Sequence, residues 1–280
     1  MLIAAAVCPH PPLLIPAATG AAASDPPPAL GAVRDACEVA VRALAAAGPD
    51  LIAVVGGGPA GREYEAGAAG SLGEYGIPVT VGEGEPVLPL SLTVGRWLLD
   101  RAGVGSGRDG RGPGRPQSGP PGAGPLGAGP LGAGPLGAGP LGAGPPGSGP
   151  VVLLQAVDQR APIGDCVKLG IMIAERAPRV ALLTMGDASA RRARDAEGVP
   201  DPQAQDDDEE VAEALAAADA RWLGRLDPAL DDELMVAGRA AWQVLAGAAT
   251  GTRMSGRLLC MAHPYGVTYL VACWERPRAD

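Results

Sequence analysis

Residues 151–185, VVLLQAVDQRAPIGDCVKLGIMIAERAPRVALLTM, have the pattern of a strand, a helix and a second strand. The apolar runs Val151–Val157 and Val180–Met185 have the length of buried strands, and Gly164–Ala177 between them has helical spacing. Two strands joined through a helix lie parallel in one sheet, because the crossover returns the chain to the same edge. This stretch predicts an α/β fold with a mainly parallel central sheet and helices on both faces.

The same alternation extends outward from this stretch in both directions. On its amino-terminal side we predict the following elements: strand Leu2–Val7, helix Ala29–Ala47, strand Leu51–Val55, a weak strand near Val79–Val81 and helix Ser91–Ala102. On its carboxyl-terminal side, Asp207–Thr250 is helical with breaks at Asp227-Pro228 and near Gly238. Gly256–Trp274 then predicts two strands joined as a hairpin around His263–Gly266.

Residues 104–150 interrupt this pattern with a low-complexity segment that contains 18 glycines and 11 prolines. Five tandem pentapeptides, four GAGPL and one GAGPP, occupy residues 122–146. Such a segment has almost no side chain area to bury, so it cannot offset the entropy lost on ordering. We predict a disordered insertion within a single domain that spans residues 1–280.

The overall charge and hydropathy exclude several functional classes. The chain has 31 acidic and 22 basic residues, a net charge of −9, which leaves no broad basic face for nucleic acid. No apolar run reaches the roughly 18–20 residues that cross a bilayer, so no membrane contact is expected. Five widely scattered cysteines are typical of a reducing compartment, and we predict a cytoplasmic protein.

The glycines that follow the strand Leu51–Val55 match a dinucleotide-binding pattern. Gly56, Gly58 and Gly61 satisfy GxGxxG directly after this strand. However, residues 62–67 lack the apolar period of the helix that such a motif requires, and Pro59 interrupts the loop. A dinucleotide-binding protein therefore stands as a secondary alternative.

His10 follows the first predicted strand, at the carboxyl edge where open α/β sheets place their sites. Prolines on both sides stiffen this loop, as a metal ligand or a general base requires; the alternative is an imidazole placed by turn geometry alone. Together with Cys8, His263 and Cys260, His10 also has the residue types of a tetrahedral zinc site. Both cysteines would equally serve as small buried apolar residues.

Polar residues also follow the strand Val180–Met185. Asp187 or Ser189 is suited to cap the next helix, or to act in catalysis at the sheet edge. Arg191, Arg192 and Arg194 form a basic cluster that either holds an anionic ligand or is a solvated face. The acidic run Asp206–Glu210 has the charge that a helix N-terminus favours, and needs no partner on this interpretation.

Four segments in order resemble one enzyme family. They are Cys8-Pro9-His10-Pro11-Pro12-Leu13-Leu14-Ile15-Pro16, Met185-Gly186-Asp187-Ala188-Ser189-Ala190, Ala237-Gly238-Arg239-Ala240-Ala241-Trp242 and Pro264-Tyr265-Gly266-Val267. This order resembles the LigB-like catalytic chains of class III extradiol ring-cleavage dioxygenases and the related Memo-like proteins. The resemblance covers the chain apart from residues 104–150.

The resemblance implies an iron site of which one ligand is retained. Active members hold Fe(II) with two histidines and a carboxylate and use a further histidine as acid/base. His10 matches the first ligand, whereas Gly56-Gly57-Gly58 stands at the second and Ala190 at the acid/base position. Near Ala237, where the last ligand would lie, the sequence has no carboxylate or thiol. A facial Fe(II) site needs three protein ligands. The resemblance therefore implies that the chain has the fold of the dioxygenases but does not cleave rings at the family's usual iron site.

The resemblance leads to two hypotheses of function, one a binding protein and the other an enzyme. The first is a non-catalytic or repurposed member that binds a small molecule or partner in the old cleft, around Gly56, Gly57, Gly58, Asp187 and Arg191. The second is an active oxidoreductase of the extradiol type whose Fe(II) or other divalent metal is held by His10 with His263, Cys260 or Asp187. On the first hypothesis, the missing side chains at Gly56–Gly58 and Ala190 enlarge the cleft. The oligomeric state stays open, a homo-oligomer included.

Overall fold

A seven-stranded sheet forms the centre of the molecule. The computed structural model describes residues 1–19, 28–104, 149–192 and 201–277. The strands of the protein are numbered in chain order, and β4 to β6 belong to a second, smaller sheet. The central sheet contains β1 (Leu2–Cys8), β2 (Leu51–Gly58), β3 (Arg62–Tyr64), β7 (Val151–Asp158), β8 (Val180–Met185), β9 (Ser255–Ala262) and β10 (Tyr269–Glu275). Their order is β3-β7-β2-β8-β1-β10-β9. The four middle strands are parallel. At the two edges, β3 pairs antiparallel with β7, β10 pairs antiparallel with β1, and β9 pairs antiparallel with β10.

Helices cover both faces of this sheet. They are α1 (Pro28–Ala46), α2 (Leu90–Arg101), α3 (Ile163–Ala174), α4 (Pro202–Ala217), α5 (Ala220–Leu223), α6 (Pro228–Leu234) and α7 (Arg239–Ala248). Helices α1 and α2 pack on one face, and α7 packs on the other together with α3 and α4. The predicted α/β class, with a parallel centre and two helical layers, is confirmed.

The side chains of β1 explain why the sheet needs two helical layers. Ala5 and Val7 belong to the apolar core on one face, whereas Ala4, Ala6 and Cys8 belong to the core on the other. A strand that is apolar on both sides must be buried on both sides, which is the environment of a parallel sheet between helices. The continuous apolar runs in the sequence were therefore a reliable indicator of this architecture.

Strands from either side of the low-complexity segment lie next to each other. Strand β2 pairs with β7 in parallel, with partners from Leu51 and Val151 to Gly58 and Asp158. The segment is therefore an insertion between two adjacent strands of one sheet. Residues 105–148, on which the prediction of disorder falls, lie outside the described residues.

Residues 62–86 differ from the sequence prediction, which gave a loop with one weak strand near Val79–Val81. Three short strands form a second sheet here: β4 (Ala68–Ser71), β5 (Thr80–Val81) and β6 (Glu83–Pro86), in the order β5-β4-β6. Strands of two to four residues are too short to show an alternating pattern.

Within the described ranges, no helix is long and apolar enough to cross a membrane.

Glycines allow α3 and α7 to pack closely. A Cβ atom at Gly170 would overlap the carbonyl oxygen of Val244, and a Cβ atom at Gly247 would overlap that of Val167. We expect Gly170→Ala to lower the free energy of unfolding by about 1–3 kcal/mol, because two backbones would have to move apart. In Gly164→Ala, on the same helix, the new Cβ meets no atom within 4 Å. This control should be neutral or stabilising by up to about 1 kcal/mol, since alanine favours helix. Urea unfolding measures both, and equal effects would contradict the close packing.

Candidate functional site

The carboxyl ends of β1 and β8 place His10 and Asp187 side by side. The two strands are parallel neighbours, with Cys8 paired to Met185 at their ends. The backbone N–H of Gly186 donates to the carbonyl of Cys8 over 3.0 Å, which continues the pairing into the loops. Adjacent parallel strands thus bring residues 177 positions apart to one edge of the sheet.

Asp187 contacts His10 through both backbone and side chain. Its Oδ1 accepts a hydrogen bond from the backbone N–H of His10 at 2.8 Å. The same oxygen lies 3.6 Å from Nδ1 of the imidazole, which is close enough for electrostatic attraction but too long for a hydrogen bond. His10 is only 7% exposed, and its Nδ1 has no hydrogen-bond partner among the described residues. Asp187 therefore holds the backbone of His10, and the imidazole Nδ1 lies buried beside the carboxylate without a hydrogen-bond partner in the described chain.

Tyr269 extends this polar group from the start of β10. Its side chain is buried, and burial together with the negative charge of Asp187 raises the pKa of the phenol. The phenol therefore stays protonated at neutral pH and is a hydrogen-bond donor near the carboxylate. Tyr265, in the turn between β9 and β10, is 61% exposed and has a φ of 60°, a left-handed conformation that is uncommon for tyrosine.

A buried carboxylate, Asp208, fixes the loop after β8. Its Oδ1 accepts from the backbone N–H of Ser189 at 2.9 Å, and its Oδ2 accepts from the hydroxyl of Thr268 at 2.5 Å. The loop is also tied to β10, because Ala188 N–H donates to the Thr268 carbonyl and Thr268 N–H donates to that of Ser189. Burial raises the pKa of Asp208, while these hydrogen bonds and the nearby Arg192 act in the opposite direction.

The sequence analysis missed Asp208 and misread the acidic run around it. Helix α4 begins at Pro202 and is capped by Asp201, whose Oδ1 accepts from Gln203 N–H, so the first turn contains no run of acids. Asp207 and Asp208 lie in the next turn and are buried. A signal was present: Ala204, Asp208, Val211 and Leu215 are spaced by three or four residues, which places Asp208 on the apolar face of the helix.

Asp187 and Ser189 do not cap a helix, contrary to one of the two predictions for them. The Oγ of Ser189 accepts from Arg191 N–H at 3.1 Å, and no helix starts in the described residues directly after it. Of the predicted basic cluster, Arg191 is exposed, and Nε of Arg192 lies 3.5 Å from Asp208 Oδ2. Arg194 lies outside the described residues. A structural role for Arg192 replaces the solvated face expected there.

The prediction of a dinucleotide fingerprint at Gly56, Gly58 and Gly61 is wrong. Gly56 and Gly58 belong to β2, and the chain continues into the antiparallel strand β3 instead of a helix. The motif binds pyrophosphate through the N-terminus of a following helix, which this loop does not have.

The expectation that Gly56–Gly58 enlarge the cleft is also wrong. A Cβ at Gly56 would lie 2.5 Å from Oγ of Ser91, and a Cβ at Gly57 would lie 2.8 Å from Cγ of Gln159. The Ser91 hydroxyl donates to the Gly57 carbonyl at 2.7 Å. Neighbouring side chains thus occupy the volume that a larger residue would need, and the glycines permit their close approach.

The predicted zinc site from Cys8, His10, Cys260 and His263 does not form. Within the described ranges, no group of three His, Cys, Asp or Glu side chains is arranged to hold a metal ion. Cys8 belongs to the apolar core together with Cys37, and burial raises the pKa of the Cys37 thiol, with a further contribution from the nearby Cys8. His263 is exposed in the turn between β9 and β10.

The donor set at the sheet edge does not fit Fe(II) either. His10 and Asp187 supply at most two ligands, and Asp187 Oδ1 already accepts a backbone hydrogen bond. A Cβ on Gly186 would overlap Cα of Gly238 at the start of α7, and a Cβ on Gly238 would overlap the ring of Trp242, so neither position has space for a side chain. A facial iron site requires three protein ligands, so His10 as a metal ligand lacks the companions that such a site needs.

Comparison with known proteins assigns neither a family nor a function. No protein-family model matches the sequence, and no curated protein is significantly similar to it. Among solved structures, the chain is similar to the crystal structure of the uncharacterized protein JW3007 from Escherichia coli K12. The identity is 12%, the alignment covers 98% of this chain and 99% of that chain, and the TM-score is 0.48. This likeness is too low to assign a function.

Proposed function

We propose that the protein is a non-catalytic or repurposed relative of the LigB-like extradiol dioxygenases, and that it binds a small molecule at the sheet edge around His10. The observation on which this depends is the pairing of His10 with Asp187, whose side chains are 9% and 15% exposed, with no third metal-ligating side chain beside them in the described chain. Such a pair offers a ligand hydrogen bonds but gives a metal ion too few donors.

The arrangement of the resembling segments supports this proposal. The loop after β1 and the loop after β8 are hydrogen-bonded to each other, and the start of α7 contacts the latter where Gly238 meets Gly186. The end of β2 lies beside β8 in the sheet. The four positions at which the family has its site residues therefore converge at one edge, although only His10 retains the expected side chain.

The described residues define what a ligand would meet. The imidazole of His10 has a buried Nδ1 without a protein partner and lies next to the carboxylate of Asp187. Tyr269 adds a protonated phenol near the same carboxylate. A small polar molecule with vicinal hydroxyl groups, such as catechol, matches these donors and acceptors, and the resemblance implies the same class of compound.

Catechol binding and metal content test the proposal together. We expect wild-type protein, purified without chelators, to contain no stoichiometric iron or zinc and to bind catechol by calorimetry without opening the ring. His10→Ala should weaken catechol binding by about tenfold or more, because a hydrogen bond to the imidazole is lost. His263→Ala, which removes the exposed histidine, is the matched control and should bind like wild type.

Two results would contradict the proposal. Stoichiometric Fe(II) that disappears in His10→Ala, together with oxygen-dependent ring opening of catechol, would establish the alternative of an active dioxygenase with a rebuilt metal site. Catechol binding that is unchanged in His10→Ala would show that the edge around His10 is not the binding site.

A further inference from the structure

A groove between α1 and α2 has no role in the site around His10. It encloses a cavity of about 140 Å³. Its apolar lining consists of Leu14, Pro16, Trp97, Leu98 and Ala102. None of the residues that line it belongs to the group formed by His10, Asp187 and Tyr269. An engineered apolar cavity of about 150 Å³ binds benzene, so this volume accommodates an apolar body of about six carbon atoms.

Two arginines lie at this groove. Arg34 on α1 donates from Nε to the carbonyl of Leu14 at 2.8 Å and from Nη2 to that of Leu13 at 2.6 Å, which fixes its guanidinium. Arg101, at the end of α2, places its guanidinium 5.1 Å from the ring centre of Trp97. Burial and the like charge of Arg101 lower the pKa of Arg34. Both guanidinium groups line the same groove, and an anion between them would relieve the repulsion of like charges.

Acidic residues at the groove do not cancel this charge. Asp35 and Glu38 on α1 also line the groove, but Glu38 forms an ion pair with Arg42 one helical turn further on. Asp35 is exposed to solvent, whereas Arg34 is held against the carbonyls of the turn Pro12–Leu14. Among the described lining residues, Arg34 therefore carries the charge that is held in place next to the apolar lining, whereas Arg101 is exposed, as Asp35 is.

We propose that this groove binds a small carboxylic acid with an apolar body of about six carbon atoms, seated against Trp97 and Leu98, with its carboxylate between Arg34 and Arg101. The fixed guanidinium of Arg34 supplies charge and direction, and Arg101 closes over the carboxylate from the end of α2. The site is separate from the edge around His10, although the turn Pro12–Leu14 connects the two along the chain.

Three compounds that share a cyclohexyl ring and carry an anionic, a neutral or a cationic group test the assignment by calorimetry. Cyclohexanecarboxylate should bind with one saturable site, whereas cyclohexanol should bind weakly and cyclohexylamine should show no binding. Arg101→Gln should weaken cyclohexanecarboxylate binding by about tenfold or more, because a charge-assisted contact is lost. The matched control is Arg62→Gln, which removes another arginine that stacks on an aromatic ring, that of Tyr64, outside the groove.

A second variant blocks the cavity without changing charge. Ala102→Leu places a larger side chain in the lining, so it should abolish binding while leaving the thermal stability close to that of wild type. The proposal is overturned if cyclohexanecarboxylate does not bind, if cyclohexylamine binds equally well, or if Arg101→Gln and Ala102→Leu bind like wild type. Loss of binding in His10→Ala, with both groove variants unaffected, would relocate the ligand to the edge around His10.

Discussion

Replacing Asp208 with alanine is expected to lower the free energy of unfolding by about 3–5 kcal/mol, because it leaves a buried network without its acceptor. The side chain is fully buried on α4. Without it, Ser189 N–H and the Thr268 hydroxyl lose their hydrogen bonds, and Arg192 loses the carboxylate at 3.5 Å. Unfolding in urea, followed by circular dichroism, measures the loss.

Two further variants make the Asp208 prediction specific. Asp208→Asn keeps the size and an acceptor for Ser189 N–H but removes the charge, so its loss should be smaller than that of alanine. Asp206→Ala removes an exposed carboxylate from the same helix and should change stability by no more than about 0.5 kcal/mol. If Asp208→Ala also changed the free energy of unfolding by no more than this amount, the hydrogen bonds of Asp208 would not stabilise the fold.

Asp208 also positions the candidate site. It holds the loop that contains Asp187, and Asp187 in turn holds His10. We therefore expect Asp208→Asn, which still folds, to weaken catechol binding although Asp208 lies outside the group that meets the ligand. A side chain with a purely local role in stability would leave that affinity unchanged.

The sequence predicted the architecture well because the signal is spread over many residues. Buried strands such as Leu2–Cys8 are apolar on both sides, and long helices such as α1 have an apolar stripe on the face that packs against the sheet. The break at Asp227-Pro228 was also predictable, since Asp227 caps α6 by accepting from Ala229 N–H. Strands β3 to β6 had no such redundancy, because two to four residues cannot establish a period.

The candidate site was harder to predict because its parts depend on contacts between distant segments. His10 was identified from its position after a strand, but Asp187 is 177 residues away and could be named only as one of several candidate companions, beside its other predicted roles. The glycines after Val55 matched a motif by composition, and only the packing of Ser91 and Gln159 shows why they are small. Asp208 belongs to an acidic run that was interpreted by its charge, so its position on the apolar face of the helix was not recognised.

Stability is expected to fall as the pH rises from mildly acidic to mildly alkaline, because two carboxyl groups are buried without adequate partners. Asp207 and Asp231 are both buried, and each has an Oδ2 without a hydrogen bond among the described residues. Burial raises the pKa of Asp207 to about 6 and that of Asp231 to about 7. Asp231 faces Arg239 at 3.7 Å, but negative neighbours that include Asp207 and Asp227 oppose this attraction.

The direction of this dependence follows from proton binding. In the unfolded chain both groups lose their protons near pH 4, so between about pH 4 and pH 7 the folded protein holds more protons. Folding is then favoured by acid, and the advantage disappears as the pH rises through the folded pKa values. Since one pKa unit corresponds to about 1.4 kcal/mol, the free energy of unfolding should be about 2–4 kcal/mol higher near pH 5 than near pH 8.

A pair of adjacent variants separates this effect from the general charge of the protein. Asp231→Asn removes a buried ionisable group and should flatten the pH dependence, with the largest gain in stability near pH 8. Asp232→Asn removes the neighbouring exposed carboxylate, the smallest of the contributions that raise the pKa of Asp231, and should reduce the slope only slightly. Urea unfolding at several pH values measures both slopes. A wild-type stability that rises towards alkaline pH, or a slope that survives intact in Asp231→Asn, would show that these carboxyl groups are already ionised in the folded protein at acidic pH.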